Sequence, residues 1–317
     1  MAALIGEKAA VRSYSLCREA IDKLYLLADK IGFTDIQKKK SLYYAAAKKD
    51  VEGLKKEFAA RKKHGFKVQY LEEETVFEKS GMYAPAAILS ADGAQTNAYM
   101  FTHSLHQYNI KKGLEVYDRT AIHTIKHSSR GVELLTENGY WIKARKLVYA
   151  TGYEVVNYID KPVVKLQSTY AAISEILSLE RPYWKNDMLL WNTARPYLYM
   201  RTTPDNRILI GGRDEDFYSP KKRDDLIASK TKKLVADFKK VFPHINFISE
   251  FSWTGTFGST KDGLPFIGTY KKLPNSYFAL GFGGNGITFS LIGAEIIADL
   301  VNGKKNPDAA IFSFDRA

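Results

Sequence analysis

Residues 277–301, "YFALGFGGNGITFSLIGAEIIADLV", constrain this chain more than any other stretch. Gly281, Gly283 and Gly286 fit G-x-G-x-x-G, an apolar run (Tyr277 to Leu280) precedes them, and a helical pattern follows. Strand, glycine turn and helix in that order are what a dinucleotide-binding turn requires. Such a turn aims backbone N–H groups from the positive end of a helix at a ligand, and glycine removes the Cβ that would keep the ligand away. A tight structural turn would use the same glycines, so the pattern by itself leaves both readings open. The position near the chain's end is unusual. A Rossmann unit needs a second strand after its helix, tipped by an acid for the ribose. After Leu300 only "VNGKKNPDAAIFSFDRA" remains.

The rest of the chain alternates helical and strand patterns, which sets the fold class as mixed α/β. Residues 8–31 predict an amphipathic helix through Val11, Tyr14, Cys17, Ile21, Leu24, Ala28 and Ile31, stopped by Gly32. "SLYYAAA" reads as a strand, and Asp50 is placed to cap a basic helix from Val51 to Lys63. "APAAILSADG" reads as a short strand ending in an Asp92-Gly93 turn. Asn97 caps a further helix closed by Gly113. "LEVYDR", "AIHTIKHS", "VELLTE" and "YWIKAR" then read as a β-meander over 114–144, with Asn138-Gly139 a strong hairpin signal. "KLVYATG" is an apolar strand with a small-residue turn. The middle is β-rich and aromatic, followed by a helix over "KKRDDLIASKTKKLVADFKKVF" that Pro243 stops.

Composition narrows the function. The chain has 317 residues, 45% of them hydrophobic, enough for one large core or two interleaved ones. No apolar run reaches the ~20 residues of a membrane helix. The lone Cys17 excludes an intramolecular disulfide and a multi-cysteine metal site, and fits a reducing, cytoplasmic location. The net charge is +12. Its lysines and arginines come in short scattered clusters with no nucleic-acid motif, so they read as a solvated surface with a mild preference for anions. His103/His106 and His123/His127 are spaced for metal pairs but lack a third ligand, so no metal is expected.

"WTGTFGSTKDGLPFIG" (253–268) followed by the glycine loop resembles the C-terminal signature of FAD-dependent amino-acid oxidases, the group of glycine oxidase, sarcosine oxidase and D-amino-acid oxidase. The meander with its returning strand, and "PYLYMRTTPDNRILIGGRDE", resemble that family's central and substrate-domain segments. The likeness covers most of 85–317 in the right order. It implies a partial FAD-binding Rossmann-like domain with the β-meander (92–162 and 253–317, helix 8–31 packed on it) and an antiparallel-sheet substrate domain (34–91 and 163–252). By the same resemblance, Gly281, Gly283, Gly284, Asn285, Gly286, Ile287 and Thr288 lie beside the isoalloxazine end of FAD. Thr151 and Gly152 lie near its phosphate-ribose half, and the Ile122 backbone lies near adenine.

Two departures from the family pattern shape the expectation. Relatives open with a strand, a true G-x-G-x-x-G turn, a helix and an acid-tipped strand, and nothing here matches these. The chain is therefore expected to be a truncated form that binds FAD weakly by itself. Several relatives also carry a substrate-binding arginine where this chain has Phe257. Arg201 is the best remaining bidentate partner for a carboxylate, with Tyr199 on the same strand face. Arg201 reads equally as an ordinary sheet-surface arginine and Tyr199 as a packing aromatic. Asp262 is expected to cap backbone groups rather than act in catalysis. The expected function is oxidation of the C–N bond of a small amine or amino-acid substrate by hydride transfer to FAD. The alternatives are a non-catalytic fragment without cofactor, and a 2-hydroxy-acid or glycerol-phosphate oxidoreductase of the same superfamily. Substrate identity, electron acceptor and oligomeric state stay open.

Overall fold

A computed structural model of the chain describes residues 1–177 and 183–316. Residues 178–182, inside the expected second domain, and Ala317 lie outside the described residues. In chain order, α1 (Ala2–Ile5) and α2 (Glu7–Ile31) precede β1 (Ile36–Tyr44), α3 (Val51–Lys63), β2 (Val68–Glu72) and α4 (Glu73–Ser80). Then come β3 (Ala86–Thr96), α5 (Ala98–Ile110), β4 (Ile122–Ser128), β5 (Gly131–Thr136), β6 (Trp141–Ala144) and β7 (Leu147–Tyr149). These are followed by β8 (Lys165–Ser174), β9 (Leu189–Asn192), β10 (Tyr199–Thr202), β11 (Ile208–Asp216), α6 (Pro220–Asp225) and α7 (Ile227–Val241). The last elements are β12 (Ser249–Ser259), β13 (Phe266–Thr269), β14 (Ser276–Leu280), α8 (Gly286–Val301) and α9 (Ala309–Phe312). The chain divides into two compact units: Met1–Ile36, Thr96–Leu166 and Phe257–Ala317 make unit 1, and Gln37–Gln95 with Gln167–Thr256 make unit 2.

Unit 1 is built on a three-stranded sheet, β13-β14-β7. β13 and β14 form an antiparallel pair, and β14 runs parallel to β7 with Ser276 opposite Leu147 and Phe278 opposite Tyr149. One apolar cluster joins Leu16 and Ala20 of α2 to Ile267 and Tyr277 of the sheet and to Phe289, Ile292 and Ile296 of α8. A second joins Tyr149, Phe266, Phe278 and Phe314, with Tyr149 and Phe278 stacked at 4.5 Å. The meander is the three-stranded antiparallel sheet β4-β5-β6. "LEVYDR" adds no fourth strand to it, because residues 114–119 are irregular and mostly exposed.

The predicted helix 8–31 is present, and its predicted stripe is met in part: Leu24 and Ala28 are buried, and Cys17 and Ile31 pack against the core. Ala10, Ser13, Leu16, Ala20, Leu24 and Ala28 face inward, whereas Tyr14 is exposed. Ala10, Ser13, Ala20 and Ala28 alternate with Leu16 and Leu24 on that face, the small residues letting α2 approach its neighbours closely.

Unit 2 is an eight-stranded sheet in the order β12-β8-β11-β10-β9-β1-β3-β2. β8–β11, β11–β10, β10–β9 and β3–β2 pair antiparallel, while β1–β9 is a parallel pair inside the same sheet. One face packs Leu42, Tyr44, Tyr170, Ala172, Met200, Ile208 and Ile210 against Leu234 and Phe238 of α7 and Phe242 just beyond it. Each such side chain, fully buried, contributes roughly 1.5–3 kcal/mol. At the β1–β3 end of the other face, Leu54 and Phe58 of α3 meet Tyr43, Ala86, Ile88 and Tyr70.

Three local expectations are corrected here. Asp50 makes no side-chain cap on α3; its carboxylate accepts from Thr193 Oγ1 at 2.7 Å. Asp92-Gly93 is no turn, since β3 runs straight through it. Gly93 is needed for close approach: a Cβ there would stand 2.7 Å from the Lys39 carbonyl oxygen. The long basic helix is broken at Leu226 into α6 and α7. Asn97 does cap α5, accepting from Met100 N at 3.1 Å.

Candidate functional site

Unit 1 places two of the expected segments together. β14 ends at Leu280 and the parallel β7 ends at Tyr149, in neighbouring register. Gly281–Gly286 and Thr151–Gly152 therefore leave from the same edge of one sheet, at the carboxyl ends of adjacent parallel strands. That edge is where open α/β sheets bind ligands.

The glycine loop is shaped by close packing on one side and openness on the other. Gly281 has φ +75, and a Cβ there would stand 2.7 Å from Thr260 Cγ2 and 3.1 Å from Val164 Cγ2. Gly283 donates to the Gly258 carbonyl at 3.0 Å. Gly283 has φ +54 with open space around it, and Gly152 has φ +62, also open. Gly284, Asn285 and Ile287 are exposed, and Gly286 and Thr288 half-buried. Asn285 stands at the N-cap of α8 without a side-chain cap bond, so its side chain does not occupy the first-turn amides. The Thr288 hydroxyl donates to the Asn285 carbonyl at 3.1 Å. A cavity of about 250 Å³ adjoins this edge, lined by Ile159, Pro162, Val164 and Leu280 with Asp160 and Lys161.

Neighbouring residues brace the loop. Asp262 accepts from Leu264 N at 3.0 Å and from Arg316 Nε at 2.8 Å. Burial by itself would raise the Asp262 carboxyl, but Arg316, the Leu264 amide and Thr260 together hold it below its ordinary value. Ile122, by contrast, begins β4 opposite Thr136 in the meander, a sheet separate from the one that carries the glycine loop. Gly258, Val164 and Thr260 were not anticipated as parts of the loop. The small residue in "TFGS" was the available signal, since a Cβ on Gly258 would stand 2.5 Å from Val164 Cγ1.

Unit 2 holds the other predicted pair. Tyr199 and Arg201 are two apart on β10 and share a face, opposite Gly211 and Leu209 of β11. The Tyr199 ring lies over Gly211: a Cβ on that glycine would stand 2.2 Å from Tyr199 Cζ. On its other side Tyr199 pairs with Trp191, which stacks on Tyr43 at 3.8 Å. Burial pushes the Tyr199 phenol up, against the Thr169 hydroxyl and Arg201, which pull it down. Arg201 is half-buried and donates from Nη1 to its neighbour's carbonyl, Thr202 O, at 3.2 Å.

A family model described as FAD dependent oxidoreductase matches residues 2–300. The chain belongs to that family. Among curated members, this FAD dependent oxidoreductase is 27% identical over 281 residues to an opine oxidase subunit of Rhizobium meliloti, covering 86% of this chain and 70% of that protein. It is 26% identical over 287 residues to a D-amino acid dehydrogenase of Neisseria meningitidis, covering 84% of this chain and 65% of the relative. The chain thus spans about two thirds of the length of these relatives. Among solved structures, glycine oxidase from Geobacillus kaustophilus superposes with TM-score 0.81 at 20% identity, covering 96% of this chain and 83% of the other. L-proline dehydrogenase from P. horikoshii gives 0.80 at 18%, covering 94% and 81%. These two likenesses give the fold.

The family implies FAD, and the donors at the sheet edge fit such a group. The loop offers open glycine backbone at Gly283 and α8 amides that no side chain caps, a donor set suited to an electron-rich ring edge. No helix among the described residues is long and apolar enough to cross a membrane. Nor do those residues contain a group of three or more His, Cys, Asp and Glu placed to hold a metal ion.

Proposed function

We propose that this protein oxidises the C–N bond of a small amine or amino acid with FAD. What carries the reading is the β14–β7 parallel pair, which brings Gly281–Gly286 and Thr151–Gly152 to one sheet edge in a member of the FAD dependent oxidoreductase family. The names of its relatives, opine oxidase and D-amino acid dehydrogenase, support a C–N substrate. Bound FAD supplies the hydride acceptor. The chain's own residues bind and orient. The first-turn amides of α8, Gly286 to Thr288, favour negative charge on the edge they face. Thr151 and Gly152 serve the phosphate-ribose half, and the Ile122 backbone the adenine. Arg201 holds the substrate carboxylate through its planar fork, and the Tyr199 ring, pinned over Gly211, forms a wall that limits how the substrate lies. Fixing a neutral amine in one orientation supplies much of the rate in such chemistry.

Within residues 1–317 the 281–286 turn is the single G-x-G-x-x-G. These residues by themselves are therefore expected to bind FAD weakly. Each charge-assisted hydrogen bond missing at the phosphates costs about 1.5–3 kcal/mol, so two of them lower affinity on the order of 10²-fold or more. The test is an absorbance and fluorescence titration of the chain with FAD, followed by turnover of amines, amino acids and 2-hydroxy acids with an artificial electron acceptor. No flavin binding at millimolar FAD would remove the reading. Turnover of a 2-hydroxy acid with none of any amine would overturn the C–N assignment.

A further inference from the structure

β11 does not keep one register along its length. Its partners on β8 run from Leu209 opposite Ile173 to Gly212 opposite Tyr170, then resume with Glu215 opposite Ser168. β11 thus carries one residue more than β8 across this stretch, a bulge at Arg213-Asp214. In an unbroken strand Arg213 would share the Gly211 face and Asp214 would point toward α7. The extra residue reverses both. Arg213 takes φ +58, which L-residues resist, and its Nε donates at 2.7 Å to the buried Asp237 of α7. Asp214 emerges on the Tyr199 face, beside Thr169 of β8.

Asp214 is under-satisfied there. Its Oδ1 is buried without a hydrogen-bond partner, while the residue as a whole keeps part of its surface open. A carboxylate has room for about four hydrogen bonds, and an orphaned buried oxygen in a native fold calls for an explanation. Burial raises the Asp214 carboxyl above the ordinary value. Thr169 and Lys230 oppose this only in part, because the Lys230 ammonium is already bonded to Glu215 and the Arg213 carbonyl. A cation brought to this oxygen would therefore favour the charged form of Asp214. Tyr197 and Tyr199 both lie within its field: burial raises their phenols and Asp214 adds to the rise.

Arg201 occupies the same face on the far side of Tyr199, opposite Leu209. Asp214 lies four pairing steps further along β11 and one strand over, so at about 3.3 Å per residue and about 4.8 Å between strands the two Cα positions are about 14 Å apart. Strand side chains stand roughly perpendicular to the sheet, an orientation the Arg201 guanidinium reaches by leaving the Thr202 carbonyl it bonds here. Allowing about 2.8 Å for a charge-assisted hydrogen bond at each end, a gap of about 8 Å remains. At about 1.2 Å per extended bond, that is a chain of roughly five or six carbons, well beyond the separation of ammonium and carboxylate in a simple α-amino acid.

We propose that this face of unit 2 is a two-ended site for a linear zwitterion, with Arg201 on the carboxylate and Asp214, flanked by Tyr197 and Tyr199, on an ammonium group at the other end. The Arg201 end rests on the function proposed above; the Asp214 end rests on the bulge and the orphaned oxygen. Calorimetric titration of the full chain, with FAD added, tests it with 6-aminohexanoate, hexanoate and glycine as probes. The expected order is 6-aminohexanoate tightest, with glycine and hexanoate weaker. Asp214→Asn should weaken 6-aminohexanoate about 10- to 100-fold and leave hexanoate unchanged, with an unchanged thermal midpoint as the folding control. Arg201→Lys should weaken both. If hexanoate ignores Arg201→Lys while 6-aminohexanoate still responds to Asp214→Asn, the Arg201 reading fails and the Asp214 site stands. If Asp214→Asn affects both probes equally or neither, Asp214 does not bind ammonium. Should that variant not fold, the unaltered chain decides: equal affinity for 6-aminohexanoate and hexanoate, or no binding of either, overturns the proposal.

Discussion

Gly281→Ala tests the shape of the glycine loop most directly. Two penalties meet at this residue. Its φ of +75 is left-handed, which costs an L-residue about 1–2 kcal/mol. The new methyl would also stand 2.7 Å from Thr260 Cγ2 and 3.1 Å from Val164 Cγ2, and overpacking of that kind costs about 1–3 kcal/mol. Together the loss is about 2–5 kcal/mol, a large part of a domain's ordinary stability. Gly283→Ala is the control: φ is +54 but nothing lies within 4 Å, so only the backbone cost of about 1–2 kcal/mol applies. Thr260→Ser isolates the contact. It deletes Cγ2 while retaining the hydroxyl, which donates to the Leu264 carbonyl at 2.8 Å and to Asp262 at 3.2 Å. The double variant Gly281→Ala/Thr260→Ser should then recover about 1 kcal/mol or more relative to the sum of the single changes. Urea denaturation followed by circular dichroism measures all four proteins, with an unchanged m-value required for the comparison. If Gly281→Ala costs no more than Gly283→Ala, or if the double variant is simply additive, Gly281 is not packed against Thr260.

Asp262→Asn should cost roughly 3 kcal/mol at pH 7, because Arg316 is left buried without its partner charge. The folded Asp262 value lies below its ordinary 3.8, so the contribution is present above about pH 3.8 and fades as the pH falls through the folded value; the gap between the urea curves of the two proteins should be constant near pH 7 and narrow as the pH drops below 3.8. Asp50→Ala should cost about 1 kcal/mol through the lost Thr193 bond; Thr193→Ala should cost more, since its hydroxyl also accepts from Ala46 N at 2.9 Å, and the double variant should fall short of the sum of the two by about 1 kcal/mol, whereas a capping role would keep the two additive. In flavin-loaded protein, Arg201→Lys should raise KM for a carboxylate-bearing amine and leave the decarboxylated analogue unchanged, because lysine lacks the planar fork; an equal effect on both would make Arg201 structural.

Local chemistry made part of this structure legible. Asn138-Gly139 joins β5 to β6 with Gly139 at φ +84, and Asn97 caps α5; both depend on a few adjacent residues. The strand, glycine turn and helix at 276–301 were readable for the same reason. What failed depended on distant partners. Asp50 was free to cap α3 until Thr193, 143 positions away, claimed its carboxylate. Asp92-Gly93 has the chemistry of a turn, yet the Lys39 carbonyl needs that glycine inside a strand. Ala10, Ser13 and Ala20 joined the inward stripe of α2 because small residues allow close packing, which an apolar pattern does not encode. The bulge at Arg213-Asp214 had no sequence signal, because two adjacent charges between a Gly-Gly pair and a polar run look the same in or out of register.

The parallel pairing of β1 with β9 joins residues 36–44 to residues 189–192 within one sheet. Neither compact unit is contiguous: unit 1 takes its first segment from the start of the chain and its last from Phe257 onward, and unit 2 needs residues up to Thr256. During synthesis, α2 emerges long before β13, β14 and α8, the elements that bury the part of its inner face that holds Leu16 and Ala20. Leu24 and Ala28 can meet Phe101 of α5 early, but Leu16 and Ala20 await the sheet and α8, some two hundred residues later. Such non-local closure folds slowly and exposes partly built surfaces on the way. For this protein the vulnerable period belongs to the ribosome-bound chain, and chaperone supply or translation speed should govern its yield more strongly than the final stability does.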